Sequence, residues 1–311
     1  MIETDEPVAI APPDLAGYRN GPLGIDFVQR IDSGFPGPHV LVCTLVHGNE
    51  YCGAVALDQW LRAPPNLRAG RVTAAFVNMA AFGQFTASDP HASRFLDEDF
   101  NRLWTPEVLD GPRSNRELTR ARALRPLIDE ADFLLDLHSM QYPSPPLLMC
   151  GPLEKGRRLA FALGLPYDVI SDAGHRAGRR LRDYGGFGDP ARKKNALLVE
   201  CGQHWAKDSV AVAAAVLRRF LAHLGLTDGG PRPAGARPRL IEVTEVVTAA
   251  TDDFQFVLPC KGMEVIARAG TAVARDGGRA IATPHDVCVL VLPSRRPRKG
   301  QTAVRFGRIS L

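Results

Sequence analysis

The stretch Val40-Leu41-Val42-Cys43-Thr44-Leu45-Val46-His47-Gly48-Asn49-Glu50 decides how this chain is read. Residues 40–46 are short, apolar on both alternating sets and rich in β-branched side chains. Such a run reads as a central strand buried on both faces. It ends in a histidine, and a glutamate follows three residues later. Beyond it, Ala54, Val55, Leu57 and Leu61 recur near helical spacing. The pattern predicts a helix over about 50–62 with Glu50 in its first turn. His47 and Glu50 would then face one point at the carboxyl edge of a sheet, where open α/β sheets bind ligands. A strand-capping histidine and a glutamate suited to a helix macrodipole would look the same.

The flanking sequence adds weight. Arg71 to Met79 reads as a second strand. Residues 80–113 are polar and irregular, which in a compact domain usually marks function or disorder. Ser114 to Leu127 reads as a helix capped by Ser114 and interrupted at Pro126. Asp132 to His138 is another apolar strand ending in histidine. Leu147 to Cys150 is a short strand, and Glu154 to Leu163 a helix stopped by Gly164. Ala196 to Glu200 is a third apolar run with a chemical group at its end, followed by an amphipathic helix over 208–224. Three strands ending in His47, His138 and Glu200, separated by helices, predict convergence on one edge of an α/β sheet.

Residues 1 to about 38 read as an N-terminal arm with at most a short strand. Asp228 to Arg239 is a Gly/Pro/Arg linker. Short runs at Leu240–Val247, Phe254–Leu258, Glu264–Ala267, Ala280–Ala282 and Val287–Leu292 follow, separated by turns. They predict a small β-sandwich or barrel. The expected division is a catalytic domain over 1–230 and a small all-β domain over 238–311.

Composition excludes several classes. With 311 residues, 45% hydrophobic and 23% charged, the chain can bury a sizeable core and reads as a soluble globular protein. A net charge of +4 with arginines spread along the chain does not argue for nucleic acid. The basic run Arg295-Arg296-Pro297-Arg298-Lys299 reads as a solvated turn. The acidic start, Met1 to Glu6, does not resemble a signal peptide, and no apolar run approaches the ~20 residues of a membrane span. Six scattered cysteines without C-x-x-C spacing suit core thiols in a cytoplasmic setting. A small-molecule substrate is expected, without nucleic acid or membrane; a homo-oligomer stays open.

The three strand ends suggest chemistry. Catalytic zinc commonly takes three His or Glu ligands and keeps a fourth position for water. His47, Glu50 and His138 supply such a set, with Asp136 on the same strand face as His138 to orient it. Glu200 is the candidate general base. In Arg94-Phe95-Leu96-Asp97-Glu98-Asp99-Phe100-Asn101-Arg102, the arginines suit carboxylate clamping or oxyanion stabilisation, although an exposed charged loop would read alike.

Four pieces, in order, resemble the succinylglutamate desuccinylase/aspartoacylase family, relatives of the zinc carboxypeptidases. They are His47-Gly48-Asn49-Glu50, Arg94 to Arg102, Asp136-Leu137-His138-Ser139 and Val199-Glu200-Cys201-Gly202. The resemblance covers roughly residues 40–225. It implies a carboxypeptidase-like mixed α/β sheet flanked by helices, with a small all-β domain after it. It also implies one Zn2+ per chain held by His47, Glu50 and His138, and Glu200 as catalytic acid/base. Arg94 would polarise the scissile carbonyl, and Asn101 and Arg102 would hold the substrate's α-carboxylate. The implied reaction is hydrolysis of an N-acyl amino acid or related N-acylated metabolite, releasing a carboxylate and a free amine.

Two departures leave specificity open. The family's tyrosine from the C-terminal domain has no counterpart, because no Tyr follows Tyr184; Tyr142 and Tyr184 are the candidates to replace it. The arginine that reads the acyl carboxylate has no clear match among Arg182, Arg192, Lys193 and Lys194. His204 and Trp205 could line the pocket or simply pack, and Cys201 with His204 offers a thiol-nucleophile reading. A peptide carboxypeptidase and a non-catalytic metal-containing binding protein are the competing functions.

Overall fold

The computed structural model describes residues 6–228 and 238–310. Most of the linker read at Asp228–Arg239 lies outside the described residues. The strands are β1 (Val28–Asp32), β2 (His39–Thr44), β3 (Arg71–Phe76), β4 (Phe133–Met140), β5 (Leu147–Met149), β6 (Asp168–Ser171), β7 (Asn195–Gln203) and β8 (Arg239–Thr248). They continue with β9 (Gln255–Phe256), β10 (Glu264–Ile266), β11 (Ala272–Asp276), β12 (Arg279–Ala282), β13 (Cys288–Val291) and β14 (Thr302–Ser310). The longer helices are α1 (Cys52–Arg62), α2 (Arg116–Glu130), α3 (Glu154–Leu163) and α4 (Lys207–His223).

One mixed sheet runs in the order β1-β3-β2-β4-β7-β5-β6-β8-β14-β13-β10, and β12-β11-β9 form a second. This is the expected mixed α/β architecture flanked by helices, with a strand-rich C-terminal region. Strand β2 is buried along its whole length because both faces are covered. Val40 and Val42 point into the core beneath α1 and α4, while Leu41 and Cys43 point into the core beneath α2. From β2 the chain passes through α1 to β3 on one side; it then returns through α2 to β4 on the other side, both parallel to β2. The connections diverge at the carboxyl ends of β2 and β4, which makes that edge a topological switch point.

The two ends of the sheet join through β6, which pairs in parallel with β8. Thus β8, β14, β13 and β10 extend the sheet that holds β2, β4 and β7. The smaller sheet shares a core with them: Val273 and Ala274 of β11 pack in one cluster with Leu290, Val304 and Phe306.

Several local expectations need correction. Strand β2 stops at Thr44, not at His47, because Leu45 takes a positive φ of 56° and turns the chain away. Glu50 precedes α1 instead of occupying its first turn, since its side chain is drawn to two histidines. Helix α2 is capped by Asn115, whose side chain accepts from Leu118 N, and not by Ser114. It runs through Pro126: burial of Leu124, Leu127 and Ile128 in the core outweighs the one lost backbone bond. The short strand allowed for in the N-terminal arm is present as β1, antiparallel to β3.

Candidate active site

The turn after β2 brings the first groups together. The Gly48 N–H donates to Arg94 O at 3.0 Å, and the Glu50 N–H to His47 O at 3.1 Å. A Cβ at Gly48 would lie 2.4 Å from Phe82 N and 2.5 Å from Ser93 O. Only glycine lets the turn press this closely against the segment that carries Arg94. From the other side, the Trp205 indole donates to Asn49 O at 3.1 Å.

Strand register supplies the rest. His138 of β4 is the direct partner of Glu200 of β7, so both project from the same face. Lower on that face, Leu134 and Ala196 enter the core beneath α2. Two residues later come Asp136 and Leu198, then His138 and Glu200, where the face opens into a cavity of about 540 Å³.

His47 and His138 each turn Nδ1 to the Glu50 carboxylate, at 2.8 Å from Oε1 and 2.9 Å from Oε2. Their Nε2 atoms each approach another acid. His47 Nε2 is 3.0 Å from Asp99 Oδ1, and His138 Nε2 is 3.0 Å from Asp136 Oδ2. The second pair is close but not aligned as a hydrogen bond, and both Asp136 oxygens are buried without one. One ligand atom from each of His47, Glu50 and His138 lies within 4.8 Å of the others, and all three residues are buried. Two imidazole nitrogens and a carboxylate oxygen match the donor set of catalytic zinc. A carboxylate behind each imidazole is how such ligands are usually oriented. The residues therefore fit a divalent cation.

The electrostatics agree. Burial alone would raise the Glu50 carboxyl, but the charges and hydrogen bonds of His47 and His138 outweigh it and hold it well below the usual range. Burial likewise opposes charge on His138, yet Asp136 and Glu50 lift it well above an ordinary imidazole. The pocket thus draws positive charge to this point. Glu200 behaves oppositely: burial first, then the charge of Glu50, push its carboxyl up. Its Oε2 is buried with no hydrogen-bond partner among the described residues.

The other residues read from the sequence lie on the same cavity. Arg94 donates from Nη1 to Glu50 Oε1 at 2.8 Å and sets Nη2 2.9 Å from His47 Nε2. Arg102 donates to Asn101 O at 2.7 Å. Asn101 is buried, with its Oδ1 accepting from Leu181 N at 2.7 Å. Tyr142 lines the cavity beneath the Arg295 guanidinium, 4.2 Å from the ring centroid. Tyr184 does not; it packs in the core against Trp104 and accepts from Arg125.

The thiol-nucleophile reading fails. Cys201 faces the core, the neighbouring Cys52 and then burial keep its thiol protonated, and His204 Nδ1 is instead 2.8 Å from Ser139 Oγ. Arg182 points away to Cys150 O and Ala196 O. Arg192 and Lys193 are exposed, and Lys194 reaches Asp129 O. Among the cavity residues that went unread are His175, Arg180 and Arg305. None sits in a motif, and buried arginines have no sequence signature. Arg295 and Arg296, read as a solvated turn, also line the cavity.

A model of the succinylglutamate desuccinylase/aspartoacylase catalytic domain matches residues 36–224. The chain belongs to this family. No curated protein matches it. Among solved structures, it is similar to a succinylglutamate desuccinylase/aspartoacylase from Rhodobacter sphaeroides, at 20% identity and TM-score 0.68, over 91% of this chain and 89% of that one. A succinylglutamate desuccinylase from Vibrio cholerae aligns at 17% identity and TM-score 0.70, covering 92% and 86%. A product-bound ectoine utilization protein from Ruegeria pomeroyi aligns at 17% identity and TM-score 0.65, covering 90% and 88%. At these identities the likeness establishes the fold. Members of the desuccinylase/aspartoacylase family are deacylating hydrolases, and this chain brings together the residues that its resemblance to them singled out.

Proposed function

We propose that this chain is a zinc-dependent hydrolase of small N-acyl amino acids or related N-acylated metabolites. It would release a carboxylate and a free amine. The observation that carries this reading is the meeting of His47, Glu50 and His138 in one buried cluster, with the unpartnered carboxylate of Glu200 in the same cavity.

His47, Glu50 and His138 would hold the metal, which when bound supplies Lewis-acid polarisation and lowers the pKa of water from about 15.7 to about 7. Asp99 and Asp136 orient the two imidazoles. Glu200 accepts the proton of the attacking water and passes it to the leaving amine. Its buried setting suits both halves of that exchange, because burial favours the protonated form between them. Arg94 offers a guanidinium beside the ligand cluster, where the carbonyl oxygen gains negative charge. Asn101 and Arg102 hold the α-carboxylate, the arginine through charge-assisted hydrogen bonds.

The loops bearing Lys261, Arg295 and Gln301 line the cavity, which favours small substrates over peptides. Incubation with N-acyl amino acids and short peptides, with products followed by mass spectrometry, tests this. Release of free amino acid from the acyl substrates supports the deacylase. Release only of peptide C-terminal residues would make it a carboxypeptidase, and no release from either would leave a metal-binding protein.

A further inference from the structure

A buried carboxylate outside the cavity organises one side of it. Glu117 stands in the first turn of α2 with no exposed surface, and it belongs to none of the four motif pieces. Its Oε1 accepts from Leu96 N at 2.7 Å and from Asn78 Nδ2 at 3.2 Å. Its Oε2 accepts from Asp97 N at 3.0 Å and from Glu98 N at 3.4 Å. All four donors are neutral amides, so hydrogen bonds and the positive end of the helix compensate the burial.

The donors belong to two parts of the site. Leu96, Asp97 and Glu98 lie between Arg94 and Asp99. Arg94 addresses Glu50 and His47, and Asp99 backs the His47 imidazole. Residues 95–99 lie outside helix and strand, so these three amides find their acceptor in Glu117 instead of in a ladder. The same helix start holds the segment a second time, where Asp97 Oδ2 accepts from Arg116 N at 2.9 Å. Asn78 leads to the other part. Its Oδ1 accepts from Ala81 N at 3.3 Å, which fixes the orientation of its amide, and its N–H donates to Leu45 O at 2.8 Å. Leu45 is the positive-φ residue at which the chain turns toward His47. One carboxylate thus ties the segment of Arg94 and Asp99 to the turn that delivers His47.

We propose that Glu117 is a positioning residue for the site. It sets the backbone from which Arg94 and Asp99 reach the ligand cluster, and through Asn78 it holds the turn of His47 against them. This rests on the hydrolase reading above. Displacing a reacting group by about 1 Å can cost about 100-fold in rate, even when the altered residue is far from the chemistry.

Glutamine tests the hydrogen bonds with almost no change of shape. Each oxygen of Glu117 faces two N–H donors, so in either orientation an NH2 group would meet a backbone N–H. In Glu117→Gln, kcat per folded, zinc-loaded molecule should fall about 10- to 100-fold, and by more than KM changes, because Arg94 acts on the carbonyl in the transition state. Zinc affinity, read by competition with a chelator, should fall about tenfold or more through Asp99 and His47. Glu117→Asp keeps an acceptor-only group and should recover part of both. Leu127→Ala, a core change farther along the same helix, controls for lost stability. It should lower the unfolding midpoint and leave kcat and zinc affinity native. Equal losses in Leu127→Ala, or native kcat and zinc affinity in Glu117→Gln, overturn the proposal. If Glu117→Gln does not fold, Glu117→Asp carries the test, expected to lose kcat and affinity that Leu127→Ala keeps. Weakened zinc binding in the Glu117 variants, with no amide turned over by the native protein, would keep the positioning role and reject the hydrolase. Turnover by the native protein that the Glu117 variants match would keep the hydrolase and reject the positioning role.

Discussion

Glu50 is where the site's charges meet: both imidazoles, the Arg94 guanidinium and the Ser139 N–H all address its carboxylate. Removing one imidazole should therefore remove the metal, not merely weaken turnover. His138→Ala is expected to purify without stoichiometric zinc, as measured by atomic emission; full zinc content would reject that ligand assignment. Glu200→Gln should retain the metal while kcat falls about 100- to 10,000-fold, and turnover at the native rate would reject the proton shuttle.

A third residue tests the electrostatics away from the cavity. His39 is 3% exposed with Nε2 2.8 Å from Thr73 Oγ1, and burial holds its imidazole below 6.5 in spite of Glu130. Just below pH 6.5 the unfolded chain binds the proton and the folded chain does not. The contribution of His39 is therefore complete above its unfolded pKa and lost as the pH falls. His39→Gln should flatten the stability loss as the pH falls below 6.5 in urea unfolding; an unchanged slope would contradict this. Residues in short motifs, such as His47-Gly48-Asn49-Glu50, were legible because spacing constrains them. Arg305 was not, since an arginine within Thr302–Ser310 reads as exposed until the sheet shows what covers it.

At the scale of elements, the site depends on a turn more than on a helix. Gly48 must accept three backbone atoms within 2.5 Å of where a Cβ would stand. Gly48→Ala should lower stability by about 1–3 kcal/mol and reduce metal occupancy together with it. Native unfolding midpoints and full zinc would show the turn to be more tolerant than its contacts imply. The apolar runs made β2, β4 and β7 visible, because strands buried on both faces leave no polar position. Strand β14 escaped notice although Val304 and Phe306 alternate, since Arg305 and Arg308 interrupt its apolar character. Helix α2 shows the opposite failure: a proline reads as a break, and tertiary packing carried the helix past it.

Over the whole molecule, the β6–β8 pairing joins the strands of the site to those of the C-terminal region in one sheet. Arg305 crosses that junction to reach Asp172. We expect calorimetry to give a single unfolding transition, with both regions lost together; two resolved transitions would show that they fold independently. No helix among the described residues is long and apolar enough to cross a membrane, in line with the hydropathy of the sequence. The linker read at 228–239 lies mostly outside the described residues. The continuity of the sheet from β6 to β8 was not legible in the sequence, because strand order is a long-range property that no local pattern encodes.

We propose that His47, Glu50 and His138 hold a metal at which Glu200 drives amide hydrolysis. The most direct measurement gives the zinc-loaded protein and its Glu200→Gln variant the same panel of N-acyl amino acids and identifies the products by mass spectrometry. Free amino acid is expected from the native protein and, from the variant with equal zinc content, almost none. Equal release from both, or none from the native protein across the panel, would contradict it.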